Sequence, residues 1–363
     1  MAFRPIRDTP LGKALSWSDA GRLDGRAVAI AVLGMTVPVL AGLAMGRPDI
    51  GFTIGLGAML LTDAPNASDA GAKEGPSPGS AIPPAALAVI LATLICAAPS
   101  PWADIAMVLL AGGAAAISGY SRPVAVAAIR FIIYLVLSYG LLQSAGAHRG
   151  GAALIFGLGA LWNIALRMLL AGPRADSVEA APPERKPPTP AQLRAHWRRT
   201  MSQLAGWQFP IRVILGLAAA SVLRHLWPSH HYGWIVLTVA LLTQRPIEHL
   251  PVKAIQRALG TSLGVALTWA ILIGAPSQIV LAVVICVLAT AATLLRPRSY
   301  LAYAVVSSPV ILLVMDLGKP IETALLTDRL AATAMGAAIV VAANLILDLM
   351  LRTATTTASK KGV

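Results

Sequence analysis

The sequence predicts an all-α fold, a polytopic transmembrane helix bundle of two parallel six-helix repeats with about 12 spans. Three observations predict it. Of 363 residues, 56% are hydrophobic and only 12% are charged, about half the charged fraction of a soluble domain. The apolar residues gather in long uncharged runs bounded by Gly, Pro or charge. And the chain repeats itself. Asp49 to Pro65 reads DIGFTIGLGAMLLTDAP and His230 to Pro246 reads HHYGWIVLTVALLTQRP. Each has Gly and an aromatic residue (Gly51-Phe52, Gly233-Trp234) followed by Leu-Leu-Thr-x-x-Pro.

Residues 1–26 form a cytoplasmic lead. The first apolar run starts after Arg26, is too long for a signal core and has no small-x-small cleavage site. Asp8, Asp19 and Asp24 argue against a transit peptide, and Leu11, Leu15 and Trp17 suit an interfacial helix. The first repeat, 27–172, carries spans at 27–45, 50–63, 83–98, 102–119, 123–143 and 151–172. A cytoplasmic linker, 173–208, opens as a Pro- and charge-rich coil and then turns helical. Thr189 can cap that helix, Pro190 suits its first position and Gln192 completes a capping box. Leu193, Trp197, Met201 and Leu204 share one face, with Arg194, Arg198 and Arg199 around the other. This reads as an amphipathic helix on the anionic inner leaflet, or as a solvated helix docked on protein. The second repeat, 209–351, carries spans at 210–227, 232–245, 256–274, 277–295, 298–317 and 326–351, and a cytoplasmic tail of 352–363 follows. The second and eighth spans are short enough to be half-helices or re-entrant segments. Cys96 and Cys286 lie inside apolar runs and read as small packing residues.

The net charge of +13 points to nucleic acid only in a soluble chain. Here the question is which side of a membrane the basic residues occupy. With the N-terminus inside, the outer loops hold only Arg47, Arg149, Arg224, Lys319 and Arg329, while Arg130, Arg167 and Arg212 fall within or at the edges of spans. The rest of the 29 Lys and Arg face the cytoplasm. Both termini and the linker are therefore expected inside.

The repeat extends beyond its opening pair. Ala98-Pro99-Ser100 matches Ala275-Pro276-Ser277, Arg122 matches Arg298, and Asn163-x-x-x-Arg167 matches Asn344-x-x-x-Asp348. Six spans return the chain to the same side, so the repeats are parallel, with a seam near the bilayer midplane as the natural substrate position.

The second half carries Tyr232-x-Trp234, Pro246, Arg257-x-x-Gly260-Thr261-x-x-Gly264, Arg298, Ser307-Ser308-Pro309 and Asp328-Arg329. Over residues 210–350 this pattern resembles the fusaric-acid-resistance-like (FUSC) membrane family, which includes aromatic acid exporters. The plant aluminium-activated malate transporters look like distant relatives. The first half has no Arg-x-x-Gly-Thr-x-x-Gly, only AKEGPSPGS, so any role of that motif is asymmetric. Members often carry a further soluble cytoplasmic region, for which the spare sequence here leaves little room. The resemblance implies export of aromatic carboxylates, often together with a periplasmic membrane-fusion adaptor and an outer-membrane channel.

Charged residues within spans are functional candidates because burying them in lipid is expensive. Arg130, Tyr134 and Ser138 share one face of the fifth span. An arginine fork can grip a carboxylate with two parallel hydrogen bonds. The eleventh span offers Tyr300, Tyr303 and Ser307, with Pro309 freeing a carbonyl one turn back. Together they make an organic-anion site; the plainer reading has Arg130 snorkelling and the others packing. Trp102, Trp207, Trp227 and Trp234 suit interfacial belts, and Trp234 with Thr238 is also a candidate lining of the same pathway. Asn163, Arg167, Asn344 and Asp348 suggest a cross-repeat gate, or else solvated side chains near the cytoplasmic ends. Gly260 and Gly264 form a GxxxG suited to close helix packing, and Lys253 and Arg257 before it serve as topological anchors or draw anions to the inner mouth. Asp104 and Asp316 are candidate proton carriers near the outer surface; His225, His230 and His231 read as solvated loop residues.

No phosphate-binding G-x-x-x-x-G-K-[ST], H-E-x-x-H, nucleophile elbow or Cys/His metal cluster occurs. The expectation is a non-enzymatic protein of a bacterial inner membrane, without cofactor, metal or nucleic acid. It exports small organic anions on the proton gradient, and its assembly admits a homodimer. An anion channel of the same fold and a non-transporting membrane scaffold are the alternatives.

Overall fold

The computed structural model describes residues 15, 17, 25–62, 82–144, 149–170, 189–227, 233–243, 250–274, 276–296, 298–315 and 323–361. Among them the ordered elements are helices: α1 Gly25–Ala44, α2 Pro48–Thr62, α3 Ile82–Ile95, α4 Ser100–Ile117, α5 Arg122–Ser144, α6 Arg149–Leu169, α7 Pro190–Met201, α8 Leu204–Leu226, α9 Gly233–Leu242, α10 Leu250–Ile273, α11 Gln278–Leu295, α12 Tyr300–Met315 and α13 Thr323–Lys361. A helix stands at each apolar run, and α7 stands in the linker.

Seven of them (α1, α4, α5, α8, α10, α11 and α13) are long and apolar enough to cross a membrane. Helices α3, α6, α9 and α12 hold shorter apolar stretches. With 10 residues, α9 spans about 15 Å at 1.5 Å per residue, half a hydrocarbon core. Large aliphatic side chains face outward along the bundle, including Leu94, Leu109, Leu154, Ile279 and Val287, each more than half exposed. Water would penalise that surface and lipid does not. The chain is a membrane protein.

Local chemistry sets the helix starts. Pro48, Pro83, Pro101, Pro123 and Pro190 sit in first turns, where the missing N–H costs nothing. Ser277 caps α11 by accepting from the Val280 amide at 3.4 Å. Gly46, at φ 66°, makes the left-handed turn that ends α1, a conformation glycine adopts without strain, and the Arg47 amide closes it on the Gly42 carbonyl at 2.8 Å. The Thr189 cap is formed in full: its amide donates to Gln192 Oε1 at 2.9 Å and its hydroxyl accepts from the Gln192 amide. Helix α7 rests on the α4–α5 turn, where Trp197 Nε1 donates to the Ala116 carbonyl at 3.1 Å and the Tyr120 hydroxyl donates to the Pro190 carbonyl at 3.3 Å.

In the first half α1 packs on α2, α2 on α6, α3 on α5 and α4 on α5. In the second, α8 packs on α9, α9 on α13, α10 on α12 and α11 on α12. Between the halves α4 meets α8 and α1 meets α11, while α5 meets α9 and α2 meets α12. The cores follow these crossings. One apolar cluster joins α3, α4, α5 and α6 to α8, α9 and α13; the other joins α1 and α2 to α11 and α12. The halves interlock rather than abut along a flat seam.

Candidate functional site

Three polar clusters interrupt these apolar cores. The first lies between the halves. Arg130, Tyr134 and Ser138 are buried along α5. Among the described residues, Arg167 from α6 and Arg296 at the end of α11, both of its own sign, lie near Arg130, and Tyr134 lies near both Arg130 and Arg167. Arg167 donates from Nε to Asn163 Oδ1 at 2.8 Å, one turn earlier. The Arg296 guanidinium sits 5.5 Å from the centre of the Tyr303 ring, within cation–π range. The Tyr300 and Tyr303 rings lie 5.8 Å apart. Arg130 thus has an arginine near it from each half, with Tyr134 on one side and the Tyr303 ring against Arg296 on the other. Arg130 Nε and Ser138 Oγ are buried with no hydrogen-bond partner. Ser307 is buried in α12. Arg296 escaped the sequence reading because it ends an apolar run and reads there as a loop anchor.

The two repeat-related asparagines each accept from an arginine, by different routes. Asn163 takes Arg167 of its own helix, while Asn344 Oδ1 takes Arg212 Nη1 of α8 at 3.1 Å. The Asp348 side chain lies outside the described residues. Nothing in the sequence signalled the Arg212 pairing, which joins positions 132 apart.

The second cluster also joins the halves. Asp104, near the start of α4, is buried. Arg224 Nη2 donates to both of its oxygens, at 2.6 and 2.8 Å, and His225 Nε2 meets Oδ2. The Tyr139 hydroxyl of α5 donates to Oδ1 at 2.8 Å and accepts from Gln143 Nε2 at 2.9 Å. The Arg224 guanidinium stacks 5.5 Å from the Tyr139 ring centre. Arg224 and His225 are therefore ligands of a buried carboxylate rather than loop residues. Helix α8 runs on through them, and their long side chains fold back onto α4. His230, His231 and Asp316 lie outside the described residues.

The third cluster is in the second half. Arg329 of α13 is completely buried, with its guanidinium 3.7 Å from the centre of the Trp234 ring. Arg257 of α10 is also buried and acts on Arg329 through its charge. Counting charges had placed Arg329 in an outer loop and Arg257 at the inner mouth. Both stand near the starts of their helices, and packing among α9, α10 and α13 buries them within the bundle. Thr238, one turn from Trp234 on α9, is buried against Gly336 of α13.

Gly260 and Gly264 lie against α12. A Cβ on Gly264 would come within 2.7 Å of Ser308 Cβ and of the Val305 carbonyl, and one on Gly260 would clash with Ala304 Cβ. Pro309 removes the amide that would pair with the Val305 carbonyl, which lies against Gly264 instead. Ser308 Oγ donates to the Ala304 carbonyl at 2.8 Å.

Residues 215–343, from α8 to α13, match the family model described as fusaric acid resistance protein-like. The matched segment holds Trp234, Arg257, Arg296, Tyr303 and Arg329; Arg130 and Arg167 precede it. No curated protein and no solved structure matches the chain.

Proposed function

We propose, for a chain whose residues 215–343 belong to the fusaric acid resistance protein-like family, that it is a secondary transporter exporting small organic anions, aromatic carboxylates first among them, on the proton gradient. The observation that carries this reading is the Arg130, Arg167 and Arg296 cluster between the halves. Each such cation costs about 3 kcal/mol to place in a bilayer by insertion scales, and grouping three adds mutual repulsion. A carboxylate offsets both, held by forked guanidinium donors. Tyr134, Tyr300 and Tyr303 supply faces and hydroxyls for an aromatic body. Repeat-like helix pairings in the two halves support a parallel duplication of six spans each, with the interface between them moving during transport. An Arg167–Asp348 pair would lock one end of it.

Proton coupling rests on Asp104. Its neighbours are Arg224 and His225 from α8 and Tyr139 and Gln143 from α5, while α3, also packed nearby, carries no titratable side chain. The His225 imidazole joins the Asp104 carboxylate across α4 and α8, so a change in either group reaches the crossing of the two halves. A buried carboxylate joined to an imidazole favours a coupled transporter over a channel. The setting is a bacterial inner membrane with cytoplasmic termini, where a periplasmic adaptor, an outer-membrane channel or a second copy completes the export route.

The test is flux of labelled benzoate in proteoliposomes, with and without an imposed proton gradient. Uphill flux that collapses with the gradient supports the reading. Downhill, voltage-following flux makes the protein a channel. Folded protein that moves no anion is a scaffold or lacks its adaptor. Arg130→Gln should weaken half-saturation about tenfold or more, the loss of one charge-assisted contact worth about 1.5–3 kcal/mol.

A further inference from the structure

The third cluster carries chemistry that transport through the Arg130 cluster does not use. Arg329 is fully buried, and none of Nε, Nη1 and Nη2 has a hydrogen-bond partner. Arg257 is 3% exposed, with Nε and Nη2 equally unpartnered. The two act on each other with like charge. One face of Arg329 is satisfied by the Trp234 ring, but a π face accepts no share of its five in-plane N–H donors. Asp328, one position earlier and about 100° around the helix, is buried yet makes no hydrogen bond to the Arg329 guanidinium.

Two hydroxyls share this emptiness of partners. Thr261 is one turn from Arg257 on the same face of α10, and Thr238 is one turn from Trp234 on the same face of α9. Both are fully buried and neither Oγ1 has a hydrogen-bond partner. Helices α9, α10 and α13 pack on one another pairwise, and all four groups are buried on these three helices, with Arg329 of α13 against Trp234 of α9. Buried polar groups are almost always hydrogen-bonded, and buried guanidiniums of like charge whose donors are left unmade are strongly unfavourable. We infer that this junction is a second anion site, which binds a small carboxylate between the Arg257 and Arg329 forks with the Thr238 and Thr261 hydroxyls as further donors. It is built wholly from second-half helices and does not depend on the Arg130 reading. The planar forks match a carboxylate better than a spherical halide.

Trp234 gives the site its own reporter. In the purified full chain, the emission difference between wild type and Trp234→Phe isolates this indole. Benzoate should change it saturably, and sodium chloride at matched ionic strength should not. Arg257→Gln and Arg329→Met should weaken the response at least tenfold. Thr261→Val, a small change that keeps the fold if the arginine variants fail to insert, should weaken it several-fold. Arg329→Met should also raise the melting temperature of anion-free protein, because it removes an unpaired buried charge. Arg130→Gln should lower transport and leave the Trp234 response in place. The proposal is overturned by a response that survives the Arg257, Arg329 and Thr261 substitutions, by an equal response to chloride, by no response in folded wild type, or by one that Arg130→Gln abolishes.

Discussion

At the scale of single residues, His225 decides how the Asp104 cluster behaves. Arg224 and Tyr139 donate to the carboxylate, and His225 is its third partner, reaching it from α8. His225→Gln keeps a hydrogen-bonding group there and His225→Ala removes it, so proton-driven flux in proteoliposomes should fall several-fold in the alanine variant and be largely kept in the glutamine one. Unchanged flux in both variants would place coupling elsewhere. How legible such residues were depended on where they sit in a run. Arg130 stands inside an apolar stretch, so its cost was plain in the sequence. Arg257, Arg296, Arg329 and Arg224 sit near the ends of runs, where a charge reads as an anchor, and only tertiary packing shows that they turn inward. The pairing of Asn344 with Arg212 rather than near Arg167 was equally out of reach, because no local period relates α8 to α13.

At the scale of elements, much more was readable. The described helices, the breaks between them and helix α7 follow from hydrophobic runs, first-turn prolines and one capping box, all of them local signals. The capping box gives a direct test. Thr189→Ala removes the side-chain acceptor and should cost α7 about 1 kcal/mol. Amide exchange in the first turn of α7 should speed about fivefold while α8 is unaffected. The Gly260–Gly264 face tests a tertiary contact instead. Gly264→Leu has no room against Ser308 and the Val305 carbonyl, and overpacking of this kind costs about 1–3 kcal/mol. The variant should melt several degrees lower in detergent, whereas Gly113→Leu, at a helix position with open space beyond the glycine, should not.

At the scale of the whole molecule, the sequence suggests two like units, but the interlocking of the two halves was not legible in it. A sequence repeat says that two units are alike; it does not say whether they touch along one face or exchange helices. Here one core needs α8 and α9 against α4 and α5, and the other needs α1 and α2 against α11 and α12. Neither half can bury its inner faces alone. Breaking the chain between residues 172 and 189 separates the halves without cutting a described helix. Each fragment expressed alone should expose the cross-half faces of its helices and fail to accumulate in the membrane. Expressed together they should recover, because the contacts that join them are non-covalent and extensive. Immunoblotting of membrane fractions reads the outcome, and benzoate flux on the co-expressed pair shows whether the Arg130 and Asp104 clusters, both made by two halves, have re-formed. If one half accumulated alone in a folded, protease-resistant state, the two shared cores would not be the unit of stability, and the movement during transport would have to be sought within a half rather than between them.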